Sequence, residues 1–143
     1  MRLFGHPIHP ILVAFPIALL ALTPLWDLLA WAHVMSDGPT LAYWSELAGL
    51  VGGGLAVITG FIDFARIPQS DASAAKAALT HGGLALGMLS LFGIAFALRG
   101  ARSGAPSVLV LALEVAGALC LAVAGWFGGH LVFKYRVGVD ASR

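Results

Sequence analysis

The chain has 143 residues, of which 59% are hydrophobic and only 10% charged, and its mean hydropathy is +0.92. A soluble domain carries roughly 25% charged residues, so the composition argues against a water-soluble enzyme and for a protein of the lipid bilayer. The formal net charge of +1, with no long basic run, argues against nucleic acid as a partner.

Crossing the ~30 Å hydrocarbon core takes about 20 predominantly apolar residues. Four stretches meet that length, roughly 8–31, 43–64, 75–98 and 106–127. They predict an all-α, integral membrane, up-and-down four-helix bundle forming one domain over residues 1–143. Little chain remains for a soluble catalytic module, and no stand-alone catalytic activity is expected.

The chain opens Gly5-His6-Pro7-Ile8-His9-Pro10. Each proline disfavours α geometry in the residue before it, which predicts a stiff, non-helical lead-in. Pro10 suits the first helical position, with His9 as its cap. The first span is too long for a signal peptide, contains Asp27 and lacks a small-residue cleavage site, so it is expected to be retained. Pro16 and Pro24 lie inside it and are expected to bend it, a break that neighbouring groups make tolerable in membranes.

Residues 33–42, with Asp37-Gly38-Pro39, read as a short loop flanked by an aromatic belt of Trp26, Trp31, Tyr43 and Trp44. In the second span Gly49, Gly53, Ala56 and Gly60 share a small-residue face that Asp63 continues, allowing close approach of a backbone or a flat ligand. Pro68 breaks the next loop, with Ser70 or Asp71 as cap of the third helix. His81 opens that span, followed by Gly82 and Gly83, with Ala85, Met88 and Phe92 on its stripe. Residues 100–105 form the next turn. The fourth helix carries the lone Cys120, too isolated for a disulfide or a cysteine metal site. It is expected to end at Gly128-Gly129, leaving His130 just beyond, before the interfacial tail Phe133-Lys134-Tyr135-Arg136. No convincing internal repeat is evident.

Arg2, Arg66, Lys76, Lys134, Arg136 and Arg143 fall on one side of the membrane, against Arg99 and Arg102 on the other. Positive residues favour the cytoplasm, which predicts cytoplasmic termini.

In up-and-down order His6, His9, Asp63, His81 and His130 all lie at the end from which the chain starts. Ionisable groups within spans usually face the bundle interior, and four-helix bundles build cofactor sites from inward-facing side chains. Each residue also has a plainer role: His81 as donor to a carbonyl or to Asp63, His9 as helix start, Asp63 as partner of Arg66, and His130 turned outward. Taken together they point to a cofactor. Haem b needs two axial imidazoles and an apolar slot, and glycines such as Gly82 and Gly129 favour something large and flat. Zinc, copper or iron held by His81, His9 and His130 is the alternative. His6 and Asp63 then act on the ligands, Asp63 by accepting a hydrogen bond from a ligating imidazole. Asp27, Glu46 and Glu114 belong nearer the opposite end, where interhelical hydrogen bonding is the simplest expectation and a proton path or quinone site the bolder one. No phosphate loop, nucleophile elbow or metalloprotease spacing is present.

At Gly5-His6-Pro7-Ile8-His9-Pro10-Ile11-Leu12-Val13 and Phe15-Pro16-Ile17-Ala18-Leu19 the chain resembles a family of predicted bacterial membrane proteins catalogued as domain of unknown function 2231. The likeness continues at Gly60-Phe61-Ile62-Asp63, Thr80-His81, Gly128-Gly129-His130-Leu131-Val132 and Val137-Gly138-Val139. The resemblance implies a four-helix domain of the bacterial inner membrane. In that family it is sometimes joined to, or found with, Rieske iron–sulfur or cytochrome modules, which implies a redox setting with a separate electron partner here. The expectation is therefore a b-type cytochrome-like electron-transfer protein. The alternatives are a non-haem metal-binding or transport protein, or a cofactor-free accessory subunit of a redox complex. Small-residue stripes suit either a homo-oligomer or a heteromeric contact.

Overall fold

The computed structural model describes residues 2–3, 6–67, 71–100 and 104–137, with side chains from residue 8 onward. After an antiparallel pairing of Arg2–Leu3 with His6–Pro7 come four helices: α1 (Ile8–Trp31), α2 (Gly38–Phe64), α3 (Ala72–Leu98) and α4 (Val108–Phe133). All four are long and apolar enough to cross a membrane, and they form the expected all-α bundle. Large apolar side chains on its outside, such as Phe15, Leu55, Leu119 and Trp126, are exposed, as befits a surface solvated by lipid rather than water.

Several helix limits differ from the sequence expectation. Helix α1 begins at Ile8, so His9 lies in its first turn rather than capping it. Helix α2 begins at Gly38, five residues before Tyr43, with Pro39 in its first turn, where a missing N–H costs nothing. Helix α3 begins at Ala72, because the Asp71 carboxylate accepts from the Ala74 N–H at 3.0 Å and an alanine-rich stretch follows that favours helix. His81 therefore lies nine residues into its helix rather than near its start. Helix α4 begins at Val108, with the Ser107 hydroxyl as cap, and continues through Gly128 and Gly129 to Phe133. A glycine costs a helix only about 1 kcal/mol, whereas unpaired backbone groups in lipid cost several, so the glycine pair does not end it.

The order of packing is α1 chiefly on α2 and α3 chiefly on α4, with lighter contacts from α2 to α3 and from α1 to α4. The bundle is thus two antiparallel hairpins laid side by side. At the first hairpin's turn, a Cβ on Gly38 would lie 2.4 Å from the Trp26 carbonyl oxygen, so only glycine lets the helices approach so closely there.

The two hairpins repeat each other. Shifting α1 by 72 residues, the separation of Asp27 from Arg99, puts Pro16 on Met88, Leu20 on Phe92 and Thr23 on Ala95, all buried. Shifting α2 by 68 residues, the separation of Glu46 from Glu114, puts Ala42 on Val110, Gly49 on Gly117, Gly53 on Leu121 and Ala56 on Ala124, again all buried. Packing follows the same rule. A Cβ on Gly49 would meet Leu20 at 2.7 Å, and one on Gly117 would meet Phe92, the counterpart of Leu20, at 2.7 Å. Helix direction and neighbour order are preserved, so the halves are related by an approximate two-fold axis along the bundle. The chain does contain an internal repeat. It escapes a sequence reading because it is carried by which positions are buried, while the lipid-facing positions differ between the halves.

Leu20, Met88, Phe92 and Leu121 form the core between the hairpins. Polar side chains occupy the interior above and below it.

Candidate functional site

At one end of the bundle His9 and His81 occupy equivalent positions of the two hairpins and meet across the interface. Their ring centroids are 6.4 Å apart, with planes at 81°. His9 Nδ1 lies 2.9 Å from the Ala56 carbonyl oxygen, and His81 Nδ1 lies 2.8 Å from the carbonyl oxygen of Ala124, the counterpart of Ala56. A carbonyl can only accept, so both Nδ1 atoms carry the proton, and in the neutral rings Nε2 is left with the lone pair. The Thr59 hydroxyl, itself donating to the Ala56 carbonyl at 3.0 Å, accepts from His9 Nδ1 at 3.3 Å.

Glycine makes room for both rings. A Cβ on Gly60 would stand 2.9 Å from His9 Cε1, and one on its counterpart Gly128 would stand 3.1 Å from His81 Cε1. The plainer role foreseen for His81, donation to a carbonyl, is therefore real, but it engages only one nitrogen. The same arrangement is what fixes tautomer and direction in ligating histidines.

The other expected site residues separate from this pair. His130 sits on α4 with its ring 5.4 Å from that of Trp126, and its Nδ1 is 3.4 Å from the Trp126 carbonyl of its own helix. It keeps company with a residue that is 70% exposed, rather than with His9 and His81. Asp63 is half-buried on α2 and within electrostatic range of His9. Gly82 has nothing within 4 Å of where a Cβ would be, and Gly129 has only Phe133 at 4.0 Å; the glycines that touch the imidazoles are Gly60 and Gly128. The side chain of His6 lies outside the described residues. Among the described residues no three His, Cys, Asp or Glu side chains are arranged to hold a metal ion.

The opposite end holds a feature the sequence reading divided in two. Arg99, expected as a loop charge, is buried, its side chain 1% exposed. The last turn of α3 ends at this residue, and Gly100 at φ +75° then turns the chain away, a left-handed conformation that glycine adopts without strain. The guanidinium reaches back between the helices. Nη1 and Nη2 donate to Asp27 Oδ1 and Oδ2 of α1 at 3.2 and 2.6 Å, Nε donates to Glu46 Oε2 of α2 at 3.0 Å, and Nη2 also donates to Glu114 Oε1 of α4. All three carboxylates are fully buried. Glu46 and Glu114 are counterparts under the two-fold, as are Asp27 and Arg99; at that last pair the symmetry is broken by opposite charge. The interhelical bonding expected of the acids is present. What the sequence reading missed is its centre, because Arg99 stands beside a glycine at a helix end and reads as solvent-facing.

Breaking a buried ion pair costs about 3–5 kcal/mol, so the arginine cluster fastens all four helices at one end. The histidine pair fastens nothing to comparable depth.

No curated protein and no solved structure is significantly similar to the chain. The profile of the family described as predicted membrane protein, domain of unknown function 2231, matches residues 5–141. Together with four membrane-length apolar helices, that match over nearly the full length means that the chain is a member of this family of multi-pass membrane proteins.

Proposed function

We propose that the protein is a small b-type cytochrome-like electron carrier in which His9 and His81 would hold a haem between the hairpins. The observation that carries the reading is the imidazole pair itself: equivalent positions, Nδ1 bound to equivalent carbonyls, and rings 6.4 Å apart. With metal–imidazole bonds of about 2.0–2.1 Å, two imidazoles at this spacing could share one metal centre. A porphyrin supplies its own four donors, so it asks of the chain only two imidazoles. A bare zinc, copper or iron ion asks for more than the described residues gather.

In this reading haem supplies one-electron chemistry. His9 and His81 would hold it by Nε2, while the Ala56 and Ala124 carbonyls would set ring direction and raise ligand basicity. Asp63 acts on His9 through space. The hairpins pack more lightly against each other than their own helices do, so a haem between them would disturb the fewest contacts. Its electron partner would be a separate redox protein.

The membrane is the bacterial inner membrane, with the histidine end cytoplasmic. Arg99 is neutralised inside the bundle, so of the two arginines on the far side only Arg102 still counts toward orientation.

An absorbance spectrum of the full-length protein, expressed with ample haem, tests the reading. The expected result is a Soret band with the sharp visible bands of bis-imidazole haem. His9→Ala and His81→Ala should each abolish or shift it, and His130→Ala should leave it unchanged. A colourless protein, or bands unmoved by His81→Ala, refutes it. Stoichiometric metal without porphyrin selects a non-haem metal or transport protein. Colourless, metal-free protein bound to a larger complex selects an accessory subunit.

A further inference from the structure

The arginine cluster does not balance. One guanidinium faces three carboxyl groups in a site closed to solvent, and two of the six carboxyl oxygens, Glu46 Oε1 and Glu114 Oε2, have no hydrogen-bond partner among the described residues. An unpaired ionised oxygen in such a place is costly. The surplus and the orphaned atoms coincide. Asp27 uses both oxygens on the guanidinium, whereas Glu46 and Glu114 each accept through one oxygen and leave the other bare.

We propose that Glu46 and Glu114 form a buried proton-binding site in which each carboxyl carries one exchangeable proton. With both protonated, Arg99 and Asp27 remain as the single ion pair and the cluster is neutral. A proton needs no further ligand. A metal cation in the same place would want several more oxygens and would stand against the guanidinium. Every helix contributes a charged group to the site: Asp27 from α1, Glu46 from α2, Arg99 from the end of α3 and Glu114 from α4. Tyr43 lies one turn before Glu46 on α2, its ring packed against Phe96 at 5.1 Å.

Solvent comes near this end of the bundle without touching the cluster. A recess of about 290 Å³ lined by Ala30, His33 and Ser36 opens there, and Ala30 is one turn beyond Asp27 on α1. Protonation is simple transfer: hydronium delivers a proton to the bare oxygen and leaves as water, and deprotonation reverses it. The site is independent of any cofactor at the histidine end.

The sequence makes the test clean, because Glu46 and Glu114 are its only glutamates. Full-length protein labelled with ¹³C at the glutamate carboxyl, in lipid nanodiscs at neutral pH, should show two carboxyl resonances, both at the carboxylic-acid position. E46Q and E114Q should each remove one of the two. The acid carbonyl band in the infrared should move when water is replaced by D₂O. Either resonance at the carboxylate position overturns the proposal in the wild-type protein, with no variant required. So does a resonance that shifts with sodium or potassium at fixed ionic strength, which marks a metal cation, or an acid band unmoved by D₂O, which marks a sealed pair.

Discussion

At both ends of the bundle, polar side chains from the two hairpins meet near the approximate two-fold axis, but they meet on different terms. At the arginine end an acid and a base bind each other across the axis, and the four helices cannot part without stranding buried charge. At the histidine end the two imidazoles bind backbone carbonyls of their own hairpins and face each other with nitrogens to spare. One end is built to hold the halves together. The other would, on the proposed function, hold a haem between them. The difference follows from the broken symmetry: Asp27 and Arg99 stand at equivalent positions with opposite charge and attract, whereas His9 and His81 are alike and do not.

The largest expected effects break the arginine end. Asp27→Arg or Arg99→Asp alone should destabilise the protein by about 3–5 kcal/mol, visible as loss of folded, monodisperse protein in detergent. Because the two positions are equivalent, the double swap Asp27→Arg with Arg99→Asp should recover much of that yield; a double variant no better than either single one breaks the comparison. Next, Gly117→Ala forces a Cβ to 2.7 Å from the Phe92 ring and should cost about 1–3 kcal/mol by overpacking. Gly125→Ala, with nothing within 4 Å, should be neutral or stabilising by up to about 1 kcal/mol. Thermal unfolding compares the pair.

His9→Ala and His81→Ala should cost only about 1 kcal/mol each in the absence of cofactor, even though both remove interhelical bonds. A collapse as severe as that of the Arg99 variants would mean that the histidine end, too, is structural. The smallest effect is expected at His33, whose φ of 58° lies in the left-handed region. His33→Gly should stabilise by several tenths of a kcal/mol to about 1 kcal/mol, read as a slight rise in the unfolding midpoint.

The sequence by itself determined the solvent, the four helices and the polar residues of each end. Apolar runs of membrane length admit no other regular structure in lipid, and up-and-down order follows from short connections. The buried small-residue face of α2 was legible in the spacing of Gly49, Gly53, Ala56 and Gly60. The exit of α4 was not, because a glycine pair that would end a helix in water is carried through in lipid. Only the tertiary structure brought His9 and His81 together and left His130 apart, since a ring's direction depends on which carbonyl it finds. Only the tertiary structure drew Arg99 out of its apparent loop, since three acids on three other helices outweigh the cost of taking its charge from water. The internal repeat likewise became visible only in three dimensions, because it is carried by the positions that pack inside, and lipid asks no more of the outer positions than that they be apolar.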